Sequence, residues 1–410
     1  MKNLNGTLLI GQSGGPTSVI NASASGVFLE ALKHSCITKI LAAKHGVLGI
    51  INEDFIDINK EEIGELEKLC YTPSSAIGSV RYKLKDVSDF NKILEVFKKY
   101  NVRFFFYNGG NDSMDTCNKI SKYLKDNQFD CNVIGIPKTI DNDLTMTDHC
   151  PGYGSAAKYL ATSLMEISLD SSVYNTKMIT VCEIMGRHAG WLTASAQISK
   201  SLGYGPDLIY LPEIPFNLDN FYLDIENVLA NKNNVLIAIS EGLQTKEGLF
   251  IPELVKSLAK DAFGHSQLGG SAIVLADLLQ NHFKTKTRAI EFSLLQRCAA
   301  HLSSQTDINE AFTTGQKAVK AAISGITDKM IGIQRISNYP YKIKYIKIPL
   351  AKVANSEKLI PLSWIKERGQ GLTSDYLDYV LPLIQGETKL KKNSGLPDFA
   401  KLKKVKFILK

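Results

Sequence analysis

Phe104-Phe105-Phe106-Tyr107-Asn108-Gly109-Gly110-Asn111-Asp112-Ser113 decides how this chain is read. Four consecutive large apolar residues fit a strand buried on both faces, as in a parallel sheet covered by helices on each side. The double glycine closes the strand, and Ser113 is placed to cap a following helix. Strand, glycine turn and helix together are the repeating unit of a doubly wound α/β fold.

The same unit recurs in both directions from this stretch. Thr7–Ile10 is a short apolar run ending in Gly11-Gln12-Ser13-Gly14-Gly15, with a helix through Val19, Ile20, Val27, Phe28 and Leu32 behind it. Ile40–Ala43 is a further strand. Val133–Ile136 ends in Pro137-Lys138-Thr139. Met178–Cys182, Leu208–Leu211 and Val235–Ile239 form a second set of the same kind. Between strands lie amphipathic helices such as Asp89–Tyr100, where Ile93, Leu94 and Phe97 share a face. The expected fold is α/β: two doubly wound domains with mainly parallel sheets, facing each other. The expected division is residues 1–154 plus about 296–350 for one domain and 155–295 plus about 351–410 for the other. A length of 410 residues, at roughly 100–200 per domain, allows that arrangement.

Bulk properties narrow the function. The apolar fraction of 44% and charged fraction of 22% are ordinary for a globular protein. The net charge of +7 comes from scattered Lys and Arg, which argues against a nucleic-acid surface and suits small anionic substrates. The lysine-rich stretch Lys389–Lys410 reads as a solvated tail or edge. No apolar run approaches the length needed to span a bilayer. The seven cysteines show no Cys-x-x-Cys pair or zinc spacing and read as reduced thiols of a cytoplasmic protein.

In open parallel sheets, ligands bind beyond the carboxyl ends of the strands. This chain places its glycine clusters there. Gly11–Gly15 lets backbone N–H groups approach an anion at a helix start. It is neither a Walker A loop, since the chain has no Gly-Lys dipeptide, nor a Gly-x-Gly-x-x-Gly turn. Pro137-Lys138-Thr139-Ile140-Asp141-Asn142-Asp143 sets two carboxylates two residues apart beside a lysine. Phosphoryl transfer to an alcohol needs a base near the hydroxyl and cations on the phosphates. Asp141 fits the base, with Asp143 orienting it or holding Mg²⁺; an Asx-rich turn reads the same residues without chemistry. Glu183-Ile184-Met185-Gly186-Arg187 follows a strand and offers a planar guanidinium fork to a phosphate, or a buried ion pair. Ser240-Glu241-Gly242 ends another strand, where Glu241 could accept from sugar hydroxyls.

Taken together, Gly14-Gly15, Gly109-Gly110-x-Asp112-Ser113, Thr139-Ile140-Asp141-Asn142-Asp143, Met185-Gly186-Arg187 and Gln296-Arg297 resemble the phosphofructokinase A family over residues 6–330 or so. The resemblance implies two Rossmann-like domains with the active site in the cleft between them, and Mg²⁺-dependent, reversible phosphoryl transfer to the 1-hydroxyl of fructose 6-phosphate in a cytoplasmic homodimer or homotetramer. By the same resemblance Asp141 is the catalytic base, flanked by Thr139 and Asp143. Met185, Gly186, Arg187 and Glu241 hold the sugar phosphate. Arg297 is a 6-phosphate ligand, and Arg288 one reaching in from a neighbouring subunit. Arg81 lies near the transferred phosphoryl group, and Gly14, Gly15 and Gly110 face the donor.

ATP-using relatives usually carry glycine where this chain has Asp112 and Lys138, whereas pyrophosphate-using relatives carry Asp and Lys. A carboxylate where the α-phosphate of ATP would sit repels it by roughly 4 kcal/mol at about 4 Å and an effective dielectric near 20. Pyrophosphate is therefore the expected donor. ATP, sedoheptulose 7-phosphate as acceptor, and a non-catalytic sugar-phosphate-binding subunit are the alternatives.

This chain also departs from the family pattern. Asn111 stands where many members have an aspartate that helps hold Mg²⁺; it can ligate only through its carbonyl oxygen. Leu294 replaces a common histidine three residues before Arg297 in the sugar-phosphate site. The segment near 243–286, which includes His265, reads as an insertion.

Overall fold

The computed structural model describes residues 4–253 and 270–409. The chain divides into two units. In chain order the strands are β1 (Gly6–Gln12), β2 (Ile37–Ala43), β3 (Phe55–Asp57), β4 (Val102–Gly109), β5 (Asn132–Pro137), β6 (Met178–Ile184), β7 (Leu208–Tyr210), β8 (Asn234–Ser240), β9 (Lys286–Glu291), β10 (Lys329–Asn338) and β11 (Tyr341–Pro349).

The first unit comprises Met1–Ser155, Arg297–Glu357 and Leu383–Lys410. Its sheet runs β11-β10-β5-β4-β1-β2-β3, parallel from β10 to β2 with an antiparallel strand at each edge. The stretch Phe104–Tyr107 sits in the middle strand and is buried on both faces. Phe104 and Phe106 pack with Leu8, Ile10 and Phe28 on one side. Phe105 and Tyr107 pack with Leu9, Phe97 and Met114 on the other. Each such side chain removed from water contributes about 1.5–3 kcal/mol, and the period of two distributes that gain over both faces.

Helix Ile20–Ala31 packs against helix Gln305–Ile323 at very short range. A β-carbon on Gly26 would lie 2.0 Å from the carbonyl oxygen of Phe312, and one on Gly315 would lie 2.1 Å from that of Ser23. The two glycines make the crossing possible from both sides.

The C-terminal division differs from the sequence expectation. Residues 383–410 belong to the first unit, and of the expected 351–410 only Lys358–Pro382 belongs to the second. Asp57 N donates to Val405 O at 2.9 Å and Phe407 N to Phe55 O at 2.8 Å. The Glu61 carboxylate accepts from the amides of Lys403 and Lys404 at 2.7 Å each. The lysine-rich tail is thus tied to the β3 edge, whose open backbone groups would otherwise pair with another chain.

The second unit, Ala156–Gln296 and Lys358–Pro382, carries a parallel four-stranded sheet ordered β7-β8-β6-β9. Helix Leu218–Leu229, capped by Asn217, closes over Ile179, Val181, Ile237 and Ile239. Helix Ser271–Phe283 covers the same core through Leu275 and Leu279. The expected insertion lies partly outside the described residues, and His265 wholly so. Among the described residues, no helix is long and apolar enough to cross a membrane.

Candidate active site

In the first unit, three strand-end loops meet. Ser13 N donates to Asn108 O at 2.9 Å, which joins the β1 loop to the β4 loop. Lys138 N donates to Gly109 O at 3.0 Å, which joins β4 to β5. Gly14 takes a left-handed φ of 77° and donates to Val80 O at 3.1 Å. Ser79 Oγ donates to Gly14 O at 2.6 Å. These bonds bring the segment bearing Arg81 against the glycine loop.

Gly15 is the focus of the positive charge. A β-carbon there would stand 2.8 Å from Arg297 Nη1 and 3.8 Å from Arg81 Nη2. The Lys138 ammonium donates to Gly15 O. Lys138 is 3% exposed. Burial pushes its pKa down to about 8; the Asp141 and Asp143 carboxylates oppose that, and Arg297 and Arg81 reinforce it. Gly110 adjoins this group, since its β-carbon would lie 3.6 Å from Lys138 O. Arg297, expected from the resemblance at the sugar phosphate, is grouped here with Gly15 and Arg81.

The loop after β5 folds back on itself. Thr139 N donates to Pro151 O at 3.3 Å, and Asp141 N to Thr139 Oγ1 at 3.1 Å. Asn142 takes φ 56°, and its Oδ1 accepts from Cys150 N at 2.9 Å. The middle residue of the Asp-Asn-Asp triplet is therefore structural, and the turn holds Asp141 and Asp143 beside Lys138.

The far leg of this loop is clamped by residues the sequence did not single out. His149, 2% exposed, lies 2.7 Å from Asp148 Oδ1 and 2.5 Å from Glu310 Oε2. Arg335 donates to Asp148 at 3.0 Å, and the Tyr341 hydroxyl donates to Glu310 Oε1 at 2.7 Å. Burial alone would depress the His149 pKa, but the charge of Glu310 and hydrogen bonds to Asp148 and Glu310 push it up to about 9. Asp307 accepts from Gly152 N and Ser155 N at 2.9 and 3.0 Å. The only sequence signal for this clamp is the Asp148-His149 pair itself, because its partners are far along the chain.

At the helix Asn111–Asp126, Gly110 occupies the cap position and Ser113 is buried inside the first turn, so Ser113 does not cap as expected. Its Oγ fills the space left by Gly109, where a β-carbon would stand 2.0 Å away. Asp112 is exposed in that first turn, where a negative charge is favoured, and its Oδ1 lies 3.3 Å from Lys83 Nζ. The Asn111 carboxamide is engaged at both ends: Nδ2 donates to Ser356 O and Oδ1 accepts from Asn355 N, each at 2.7 Å.

The second unit holds the other expected group. Met185 N donates to Gln296 Oε1 at 3.1 Å, a role for Gln296 that sequence reading did not assign. Gly186, φ 132°, donates to Glu241 Oε1 at 3.5 Å, and Ser240 Oγ donates to Gly186 O. A β-carbon on Gly242 would lie 1.9 Å from Arg187 O. Met185-Gly186-Arg187 and Ser240-Glu241-Gly242 are thus one interlocked pair of strand ends. The exposed Arg187 guanidinium lies 5.9 Å from the Phe250 ring centre. Glu183, unassigned from sequence, is pushed upward in pKa by burial and by the charges of Glu291 and Glu241. Arg288 stands outside this group, on edge strand β9, 3.1 Å from Asp170. Leu294 is 57% exposed.

Among the described residues, no cluster of three or more His, Cys, Asp or Glu could hold a metal. Mg²⁺ does not require one, because it binds through one or two carboxylates together with substrate phosphates. Asp141 and Asp143 are donors of the right kind for that mode.

Residues 7–322 match the family described as phosphofructokinase. The pyrophosphate–fructose 6-phosphate 1-phosphotransferase of Halomonas elongata is 42% identical, covering 96% of this chain and 95% of its own. The protein of the same name from Xanthomonas campestris is also 42% identical, covering 98% and 97%. The crystal structure of the pyrophosphate-dependent phosphofructokinase of Nitrosospira multiformis superposes with a TM-score of 0.91 at 38% identity, covering 98% of each chain.

Proposed function

The chain belongs to the phosphofructokinase family, and from that premise we propose that it transfers a phosphoryl group reversibly from pyrophosphate to the 1-hydroxyl of fructose 6-phosphate. The products are fructose 1,6-bisphosphate and phosphate. The observation that carries this reading is the buried Lys138, held against Gly15 with Arg81 and Arg297 around it and Asp141 on the next turn.

Asp141 removes the proton of the 1-hydroxyl. The freed oxygen attacks the nearer phosphorus of pyrophosphate, and the bridging P–O bond breaks toward the departing phosphate. Lys138, Arg81 and Arg297 meet the charge that develops on that phosphate, Lys138 from a buried position and Arg81 from an exposed one. Asp112 sits at the helix start, where it opposes the longer phosphate chain of ATP. Met185, Gly186, Arg187 and Glu241 receive the sugar phosphate. Asp143, with Asp141, would hold Mg²⁺, which would supply positive charge to offset that of the phosphates. The names of the relatives from Halomonas and Xanthomonas support pyrophosphate as donor.

The assembly is a homodimer or homotetramer in which the surface guanidinium of Arg288 reaches a neighbouring copy, and the seven free thiols suit the cytoplasm. The test is an assay with fructose 6-phosphate and Mg²⁺, offering pyrophosphate and ATP in parallel. Fructose 1,6-bisphosphate should form with pyrophosphate and be lost in Asp141→Ala. Turnover with ATP and none with pyrophosphate would reject the proposal.

A further inference from the structure

Asn111 stands at a position where a carboxylate would serve a metal, yet its side chain is spent on the backbone. Nδ2 donates to Ser356 O and Oδ1 accepts from Asn355 N, both at 2.7 Å. Only a side chain that is donor and acceptor at once can hold the N–H of one residue and the C=O of the next this way. An aspartate would turn a second acceptor toward the Ser356 carbonyl and lose that bond. Asn355 takes φ 59°, and its own Nδ2 donates to Asp115 Oδ1 at 3.2 Å, one turn further along the helix. The segment is therefore laid along the first turn of the helix that carries Asp112.

Its other side meets the loop that carries Asp141. Thr145 Oγ1 donates to Lys352 O at 3.3 Å, and Leu144 pairs with Glu357 in an isolated antiparallel bridge. Leu144 directly follows Asp143. Residues 352–357 thus tie the start of the Asp112 helix to the leg of the catalytic loop just beyond its two carboxylates. We propose that Asn111 is a positioning residue rather than a metal ligand, holding this brace and through it the register between Asp112 and Asp141. The proposal rests on the phosphotransferase reading for what the register serves, but the brace is a physical claim of its own.

Three variants test it. Asn111→Asp keeps shape and adds charge. Asn111→Ala removes both bonds. Asn355→Pro leaves residue 111 intact while removing the N–H that binds it and the backbone angle the segment needs. Each is compared with the wild-type chain in steady-state kinetics, in Mg²⁺ titration and in amide hydrogen exchange. All three should speed exchange in residues 144–145 and 353–357 and lower kcat roughly tenfold through misplacement of the reacting groups. The KM for fructose 6-phosphate and the half-saturating Mg²⁺ concentration should stay put. Three results would overturn the proposal: Asn111→Asp working at full kcat with less Mg²⁺, Asn355→Pro retaining full kcat while Asn111→Ala loses it, or unchanged exchange at residues 144–145. If the wild-type chain fails to turn over pyrophosphate, the functional reading falls, while the exchange pattern still decides the brace.

Discussion

The Lys138 ammonium is buried and donates to the carbonyl oxygen of Gly15, so one cation is fixed against the backbone of the glycine loop that follows β1. A lysine is an uncommon choice for such a place, because burial favours its neutral form. The arrangement makes the charge on Lys138 dependent on pH near neutrality.

Burial pushes the Lys138 pKa down to about 8, and in the proposed reaction it is the protonated form that meets pyrophosphate. In the free enzyme, kcat/KM for pyrophosphate should therefore be full below pH 7 and fall as pH rises through about 8. Lys138→Met should lose about a hundredfold in kcat/KM at pH 7 and show no alkaline limb at that position. A pH–rate profile of both proteins checks this; an unchanged limb in the variant would assign it to another group.

Two glycines that look alike in sequence should behave differently when given a methyl group. At Gly15 the neighbour is Arg297 Nη1, the mobile end of a side chain, 2.8 Å from the added carbon. Gly15→Ala should keep its thermal midpoint but raise the KM for pyrophosphate about tenfold as that guanidinium is displaced. At Gly242 the neighbour is the Arg187 carbonyl, 1.9 Å away, and backbone cannot swing aside. Gly242→Ala should destabilise the protein by about 3 kcal/mol. Denaturant melts of the two variants separate the cases.

His149 is held between Asp148 and Glu310, with Arg335 and Tyr341 closing the network behind them. Its pKa is raised in the fold to about 9 from an ordinary 6.5. The stability it contributes is fully present below pH 6.5 and is lost as pH rises through about 9. His149→Gln should cost about 3 kcal/mol at pH 6.5, because Glu310 is left buried without its cation. The gap between wild type and variant should then narrow by pH 10. Urea midpoints across that range measure it, and a gap independent of pH would show that His149 is not charged in the fold.

The sequence alone was enough to place the sheet cores and the glycine loops, since Phe104–Tyr107 and Val133–Ile136 admit little but buried strands. It did not disclose β3, β9, β10 or β11. Lys286–Glu291 and Tyr341–Pro349 mix charge with apolar residues because they are edge strands with an exposed side, so no continuous apolar run marks them. Site residues divide the same way. Lys138 and Asp141 share one strand end and could be read locally. The clamp of His149 by Glu310 spans 161 positions, and the grip of Asn111 on Ser356 spans 245. Such pairs belong to the tertiary fold and leave no local pattern. Arg297 carries its assignment from the resemblance alone, and its place against Gly15, far away in the chain, was likewise not legible.

Donor choice gives the last prediction. Asp112 and Lys83 are paired at 3.3 Å with both side chains more than 70% exposed, so their contact carries little of the stability. Asp112→Gly should therefore leave the melting midpoint nearly unchanged while removing the charge that opposes ATP. Lys138 is different: it is buried, it binds Gly15, and its removal leaves a space beside two arginines. If the carboxylate alone excludes ATP, Asp112→Gly should bind ATP at least tenfold more tightly than the parent chain, short of the roughly thousandfold that 4 kcal/mol converts to because water and Lys83 screen the exposed carboxylate. If the lysine contributes, ATP should bind well only in the double variant Asp112→Gly, Lys138→Gly. Calorimetric titration of ATP into the parent, the single and the double variants separates these outcomes. ATP affinity unchanged in all three would place donor selection outside these two residues.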